Sequence, residues 1–357
     1  MERRKQVVKV RPPSLPLNEV QLKQRDSFLR KLASGVYHLE SVRACVCGSD
    51  QAMPVTEGDR FGLPVGIVMC RGCGLMRTSP RLAAEHLPAF YEDDYHRLHM
   101  GTMEPKAALY HAGQGAAVYE QLRQYLSPGK LTVVEVGAGT GDVLREFAAA
   151  AAADGRKTQL TGCEYSSQYS AQAQQLGTDV RIGGLEALEH VKAPDVIILS
   201  HVVEHFADLP GDLSRLRGLC GKKTLIYIEV PGVLTIHERP EYDFELVSYF
   251  TLAHTFHFTL ETLSGAMAFA GFDRLAGDQQ VRSVFKAAAA GRTSDTYENA
   301  FEKTRAYLAW LQSSPGLRGS RFAMKSRRWL RRAVRDIAGE SGVQAVRRLK
   351  QGLRRAA

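Results

Sequence analysis

Residues 133–141 read Val-Val-Glu-Val-Gly-Ala-Gly-Thr-Gly, an apolar run that ends in a carboxylate and then in three alternating glycines. A buried strand that turns sharply into a helix beside a ligand needs glycine, because a Cβ would block close approach of the backbone. A second carboxylate, Glu164, closes the next apolar run, Thr161-Gly-Cys-Glu164. Together these residues describe a pocket for a nucleoside-containing ligand. The glycine spacing narrows the choice. Dinucleotide sites use G-x-G-x-x-G, with a helix N-terminus facing a pyrophosphate. Here Gly137-x-Gly139-x-Gly141 is followed by Asp142, where that fingerprint has its last glycine. A carboxylate at this point is expected to repel a diphosphate. A ligand with no phosphate and a cationic centre fits better, and a bare glycine turn between core strand and helix is the alternative.

From residue 131 onward short apolar runs alternate with amphipathic stretches, the pattern of β-α-β units and a parallel sheet. Strands are predicted near 131–136, 159–164, 179–182, 194–200 and 223–230. Helices are predicted near 141–153, 166–176, 185–190 and 210–219, the first helped by the alanine-rich run from Phe147 to Ala153. After Pro231-Gly232 a loop-rich segment to about 257 precedes a helix near 259–270. Two β-like runs then follow, Phe272 to Gly277 and Val281 to Ala287, with Gly277-Asp278 placed to turn between them. Upstream, a short helix is expected around 18–33. Residues 81–127 read as helical, with an aromatic interruption from Phe90-Tyr91 to Tyr95-His96.

The Val133–Gly141 segment resembles motif I of the class I, Rossmann-like, S-adenosylmethionine-dependent methyltransferases, Glu-x-Gly-x-Gly-x-Gly. The resemblance covers about 115–290. It implies an α/β fold with a seven-stranded methyltransferase sheet, mostly parallel and closed by a terminal antiparallel hairpin. On it, Gly137, Ala138, Gly139 and Gly141 lie along the methionine part of the cofactor and Glu135 anchors the loop near the amino group. Glu164 accepts from both ribose hydroxyls, a task suited to two carboxylate oxygens. Tyr165, Gly184, Leu185, Ser200 and His201 complete the expected cofactor contacts.

Four of the six cysteines lie between residues 44 and 80, as Cys45-x-Cys47 and Cys70-x-x-Cys73, each pair followed by glycine. Two close pairs brought together across a loop can supply four thiolates at a tetrahedral structural Zn²⁺ site. A small glycine-rich region has little core of its own without such a metal; four unliganded thiols are the alternative. The region resembles the N-terminal zinc-binding domain of sugar methyltransferases. The resemblance is carried by Cys70-Arg-Gly-Cys73-Gly74-Leu75, Ser79-Pro80-Arg81 and Phe90-Tyr91…Tyr95. It departs from that family at Ala44, where the first thiolate is expected. Relatives that C-methylate deoxysugars carry a further large C-terminal domain, whereas a short helical tail is read here, so C-methylation is disfavoured.

The fourth predicted strand meets His201-Val-Val-Glu204-His205. Taken alone, His-x-x-Glu-His is an inverted zinc-protease motif. Its place after a buried parallel strand, with no evident third ligand, argues against that reading. The segment resembles the motif that follows strand four in these methyltransferases, which puts His201 nearest the cofactor and Glu204 and His205 in mixed structural and catalytic roles. A second group, Ala253-His254-Thr-Phe-His257-Phe258, resembles the segment that reaches over the active site in relatives. With Tyr249 it offers His254 and His257 as further base candidates, a loop-capping role being the alternative. Histidine can remove an acceptor proton near neutrality.

The formal net charge of +9 is unevenly spread. Residues 316–357 contribute +11, residues 1–43 contribute +6, and the middle, 44–315, carries −8. Trp329-Leu330, Ala333-Val334 and Ile337 form a helical stripe flanked by arginines. Such a helix can lie on an anionic membrane surface, contact nucleic acid phosphates or dock on the acidic body. No stretch approaches ~20 continuous apolar residues, and no apolar signal segment follows the basic start. A cytoplasmic protein with reduced cysteines is expected, with peripheral membrane contact through the basic tail as a further expectation. Four regions are read: a basic extension over 1–43, a zinc-binding domain over 44–100, a methyltransferase domain over 101–290 and a basic helical region over 291–357. The leading expectation is O-methylation of a sugar, glycan or other small acceptor in surface-polysaccharide or secondary-metabolite biosynthesis. An RNA methyltransferase is disfavoured by the acidic body, and a non-catalytic binding protein of the same fold is the third alternative.

Overall fold

The computed structural model describes residues 10–102, 112–288 and 299–326. The basic stripe at 329–337 and the basic first residues lie outside the described residues. Among those described, no helix is long and apolar enough to cross a membrane.

The N-terminal part opens with helix α1 (Glu19–Ser34). Asn18 and Gln21 cap each other's backbone at its start, and Gly35 ends it in the left-handed region. Strands β1 (Leu39–Glu40), β2 (Ala52–Thr56), β3 (Ile67–Cys70), β4 (Met76–Thr78) and β5 (Arg81–Leu82) follow. Then come α2 (Leu87–Ala89), a π-helical turn over Phe90–Tyr95, and α3 (His96–Met100). The aromatic stretch expected to interrupt a helix is therefore itself wound, in the wider π form. Its geometry is fixed by Asp94, fully buried, which accepts from Lys31 Nζ at 2.7 Å and from Gln24 and the Tyr37 hydroxyl.

The larger part runs α4 (Gln114–Leu122), β6 (Leu131–Val136), α5 (Asp142–Ala153), β7 (Thr158–Glu164), α6 (Ser167–Gln175), β8 (Val180–Ile182) and β9 (Val196–Ser200). It continues with α7 (Leu209–Leu219), β10 (Leu225–Glu229), α8 (Leu246–Tyr249), β11 (Phe256–His257), α9 (Leu260–Phe269), β12 (Phe272–Gly277) and β13 (Arg282–Ala287). Helix α10 (Ala300–Ser313) comes next and is followed by further helix over 315–326. The helix predicted near 185–190 is only a 3-10 turn over Leu185–Leu188.

Seven strands form one sheet in the order β12-β13-β10-β9-β6-β7-β8. The pairs from β10 through β8 are parallel, and β13 pairs antiparallel with both β10 and β12. This is the predicted seven-stranded, mostly parallel sheet with its antiparallel hairpin. Alternate residues feed two cores. Val134, Val136, Ile197, Leu199, Ile226 and Ile228 pack under α7 and α9. Val133, Val196, Ile198 and Tyr227 pack under α4 and α5. With both faces covered, the strands read as continuous apolar runs.

A second sheet has the order β11-β4-β3-β2. Three of its strands come from the cysteine-bearing segment and the fourth, β11, from residues 256–257, pairing Phe256 with Arg77 and His257 with Met76. The segment 231–257, expected as loop, thus holds 3-10 turns, α8 and a strand that closes the N-terminal sheet.

Candidate active site and cysteine cluster

At the carboxyl end of β6 the chain passes through Gly137 (φ 68°), Gly139 (φ 52°) and Gly141 (φ 76°), all left-handed. Three such residues in five reverse the chain so that α5 starts at Asp142 and runs back along the sheet. A Cβ on Gly137 would stand 2.7 Å from Val202 Cγ2, so space as well as conformation requires glycine there. At Gly139 nothing lies within 4 Å of where a Cβ would be, so the middle of the loop faces open space.

Two carboxylates flank that opening. Glu164, ending β7, accepts from Gly139 N at 3.1 Å and from Ser166 N at 2.9 Å, while burial pushes its carboxyl upward. Glu135 lies beneath the loop with 3% exposure, and its Oε2 has no hydrogen-bond partner among the described residues. Burial first, and the charges of Glu164 and Asp142 next, push its carboxyl well above the usual range. An unmet buried oxygen of this kind costs about 1–3 kcal/mol, a cost that a cationic donor entering from the loop side would remove. Asp142 is less isolated than its sequence position suggests. Arg145 pairs with it and also donates to Thr140 O at 2.7 Å. The repulsion of a diphosphate expected from Asp142 is therefore offset by Arg145. On the far side of Glu164, exposed Tyr165 lies over Gly184, where an added Cβ would come within 2.4 Å of its hydroxyl, and Leu185 is buried beside them.

The segment after β9 turns immediately. His201 adopts φ 55° and donates its backbone N–H to Glu229 O at 2.8 Å. Val203–His205 then form one 3-10 turn, and the long helix that the protease motif would require is absent here. Glu204 is 1% exposed, with its Oε1 3.4 Å from His201 Nδ1 and 4.0 Å from His205 Nε2. Burial alone would lower the His201 pKa, but the contact with Glu204 and its charge outweigh this and raise it. His205 Nδ1 lies 2.8 Å from Ala253 O and 3.0 Å from the Tyr91 hydroxyl. A carbonyl can only accept, so Nδ1 carries the proton and Nε2 is the basic nitrogen, turned toward Glu204.

His254 packs edge-on against His205 with centroids 4.9 Å apart. His257 sits farther back in β11, 2% exposed, against Phe250, with ring centroids 4.6 Å apart. Burial lowers the pKa of His205 and His254 and takes His257 to about 3, so all three are neutral. The structure thus gathers His201, Glu204, His205 and His254, and sets His257 in the sheet behind them.

Other residues reach the site from outside the glycine loop and the two histidine segments. Tyr91 and Tyr95, delivered by the π turn, both contact the His205 ring edge-on. A cavity of about 430 Å³ lies beside His201, lined by Gln114, Gln121, Tyr227, Glu229 and Arg282 among others. Within it Gln114 Nε2 donates to Ser200 Oγ at 2.5 Å and to Glu229 Oε2 at 2.9 Å, and the Tyr227 hydroxyl donates to Glu229 Oε2 at 3.1 Å. Glu229 ends β10 as Glu135 and Glu164 close theirs, a signal visible in Leu-Ile-Tyr-Ile-Glu229.

The four N-terminal cysteines converge. Cys45 and Cys73 Sγ lie 3.6 Å apart, as do Cys47 and Cys70 Sγ, and all four sulfurs lie within 4.8 Å of one another. Thiolates 2.3 Å from one tetrahedral Zn²⁺ would stand about 3.8 Å apart, so the donor set and its spacing fit that ion. Three of the four are buried. Cys45 is pulled down to about 5, chiefly by its contact with the Cys73 thiol, while Cys73 is pushed up.

A family model described as a methyltransferase domain matches residues 109–276, just under half of the chain. The match reaches from five residues ahead of α4 into β12 and includes the glycine loop. This part of the chain is accordingly similar to a methyltransferase domain, and its sheet has the Rossmann-like, mostly parallel order described above. A comparison with curated protein sequences finds no match. Among solved structures, an S-adenosylmethionine-dependent methyltransferase from Clostridium acetobutylicum aligns at 8% identity and TM-score 0.39, covering 55% of this chain and 96% of its own. Magnesium protoporphyrin IX methyltransferase from Synechocystis aligns at 14% identity and TM-score 0.40, covering 58% and 100%. The cyclopropane synthase MmaA2 of Mycobacterium tuberculosis aligns at 16% and 0.36, covering 63% and 81%.

Proposed function

We propose that this chain transfers a methyl group from S-adenosylmethionine to a hydroxyl oxygen of a sugar or glycan. The observation that carries the cofactor reading is the left-handed glycine loop, open at Gly139, between the unmet carboxyl oxygen of Glu135 and the carboxylate of Glu164. Glu135 is suited to the amino group, Glu164 to the ribose hydroxyls, and Tyr165, Gly184 and Leu185 to the base. When bound, the cofactor supplies an electrophilic methyl on a sulfonium. The chain's own task is alignment and removal of one proton, since transfer is an in-line displacement.

His201 is the residue we assign to the proton. It lines the cavity with its side chain 38% exposed, and Glu204 behind it raises its basicity. His205 and His254 are too enclosed to reach an acceptor and serve to wall in Glu204. His257 lies in β11, three residues beyond His254. The cavity presents an amide, a carboxylate, a phenol and a guanidinium, a mixture of donors and acceptors suited to a polyol. The four thiols are read as a structural Zn²⁺ site that keeps the N-terminal sheet, and with it Tyr91, in place.

Mass spectrometry of glycan and small-molecule acceptors incubated with the chain and methyl-labelled cofactor tests this. A label on a sugar oxygen is expected. A label recovered in RNA would replace the acceptor, and cofactor binding with no labelled product of any class would end the catalytic reading.

A further inference from the structure

Arg77 lies in β4 with 3% of its surface exposed. A buried charge must be paired, because transfer out of water costs far more than a neutral hydrogen bond returns. Yet its partners are neutral carbonyls. Nη2 donates to Arg43 O at 2.7 Å, and both Nη2 and Nε reach Val42 O at 3.4 Å. Nη1 has no partner, and no ion pair joins Arg77 to a carboxylate among the described residues. The nearby Arg81 takes Glu40 at 2.8 Å, so that acid is already engaged.

The chemistry beside Arg77 is sulfur. The carbonyls it grips end two residues before Cys45, and Arg77 lines one pocket with Cys45 and Val46. Four thiolates around one divalent ion carry a net charge of −2. Such a dianion, behind Cys45, Cys70 and Cys73 at 6%, 0% and 2% exposure, needs a cation that water cannot supply.

We propose that Arg77 is the buried counter-charge of the four-cysteine cluster, and that its grip on Val42 and Arg43 fixes the Cys45–Cys47 turn for the metal. This rests on reading the cluster as a Zn²⁺ site and adds a positioning residue outside the cysteine pattern. Conserving the charge matters more here than conserving the hydrogen bonds. Partners that neutralise and orient metal ligands typically change affinity by 10–100-fold when removed.

The test uses the full chain, purified under reducing conditions, with zinc counted by mass spectrometry and its affinity measured by competition against a chromophoric chelator. Arg77→Gln keeps an N–H₂ donor and removes the charge, whereas Arg77→Lys keeps the charge and loses the planar fork. The wild type is expected to hold one zinc per chain. Arg77→Gln is expected to weaken retention roughly 10–100-fold, with Arg77→Lys closer to the wild type. Wild-type affinity in Arg77→Gln, or tighter retention by Gln than by Lys, overturns the assignment. If Arg77→Gln is recovered only unfolded, Arg77→Lys decides: a loss as complete as that of Cys45→Ser overturns it, and a loss under tenfold supports it. A wild type with reduced thiols and no zinc removes the metal reading and this inference together. Calorimetric binding of S-adenosylmethionine to the same sample keeps that failure separate from the methyltransferase reading.

Discussion

Glu164 and Glu204 both stand at the carboxyl edge of the sheet, but their surroundings give them different work. Glu164 already turns both oxygens to backbone N–H groups of the cofactor loop and its neighbour. Charged hydrogen bonds are worth about 1.5–3 kcal/mol each, so Glu164→Ala should weaken S-adenosylmethionine binding by about 100-fold in calorimetry. Unchanged affinity would take Glu164 out of the ribose contact. Glu204 instead faces imidazoles in a buried setting and raises the His201 pKa. A base must be neutral to accept a proton, so turnover should fall on the acid side of a His201 pKa lying above the ordinary value of about 6.5. Replacing the charge in Glu204→Gln removes what raises that pKa. The acid limb of the pH–rate profile should move to lower pH; a limb that stays put would show that His201 is not the group being read.

Among the elements, the π turn Phe90–Tyr95 has the largest effect for its size, because it brings Tyr91 to His205 across a long sequence separation. Its anchor, Asp94, satisfies three donors at once. Asp94→Ala should lower stability by about 3 kcal/mol in denaturant unfolding and reduce turnover while leaving cofactor affinity within a few-fold. Equal loss of both would place the turn in the cofactor site instead. Elements like this one were not legible in the sequence, and the reason is physical. Strands β9 and β10 announce themselves because every residue is apolar until a terminal Ser or Glu, and β6 and β7 because runs of mostly apolar or small residues lead to Glu135 and Glu164. The glycine loop and the His201–His205 turn follow from those strand ends. The π turn, the 3-10 turn at Leu185–Leu188 and the two-residue β11 are stabilised by partners far along the chain, so no local periodicity marks them. For the same reason Gln114 and Arg282 entered the site unannounced, while Glu135, Glu164 and His201 stood where the strand pattern put them.

At the scale of the molecule, β11 ties the two sheets into one cooperative object. It leaves the part that holds the seven-stranded sheet, completes the cysteine-bearing sheet beside β4, and carries His254 and His257 with it, while Thr78 Oγ1 donates to His254 O at 2.5 Å. Strong chelation of the folded chain should therefore lower a single melting transition and depress turnover, with cofactor affinity affected less. Two resolved transitions would show that the halves melt independently. The arrangement also limits how the chain can be divided. Cutting ahead of α4 would not release a self-sufficient α/β part. It would strip β11 of its neighbour and leave a raw hydrogen-bonding edge, an invitation to clumping. The N-terminal module and residues 231–258 would have to travel as a matched set in any recombination.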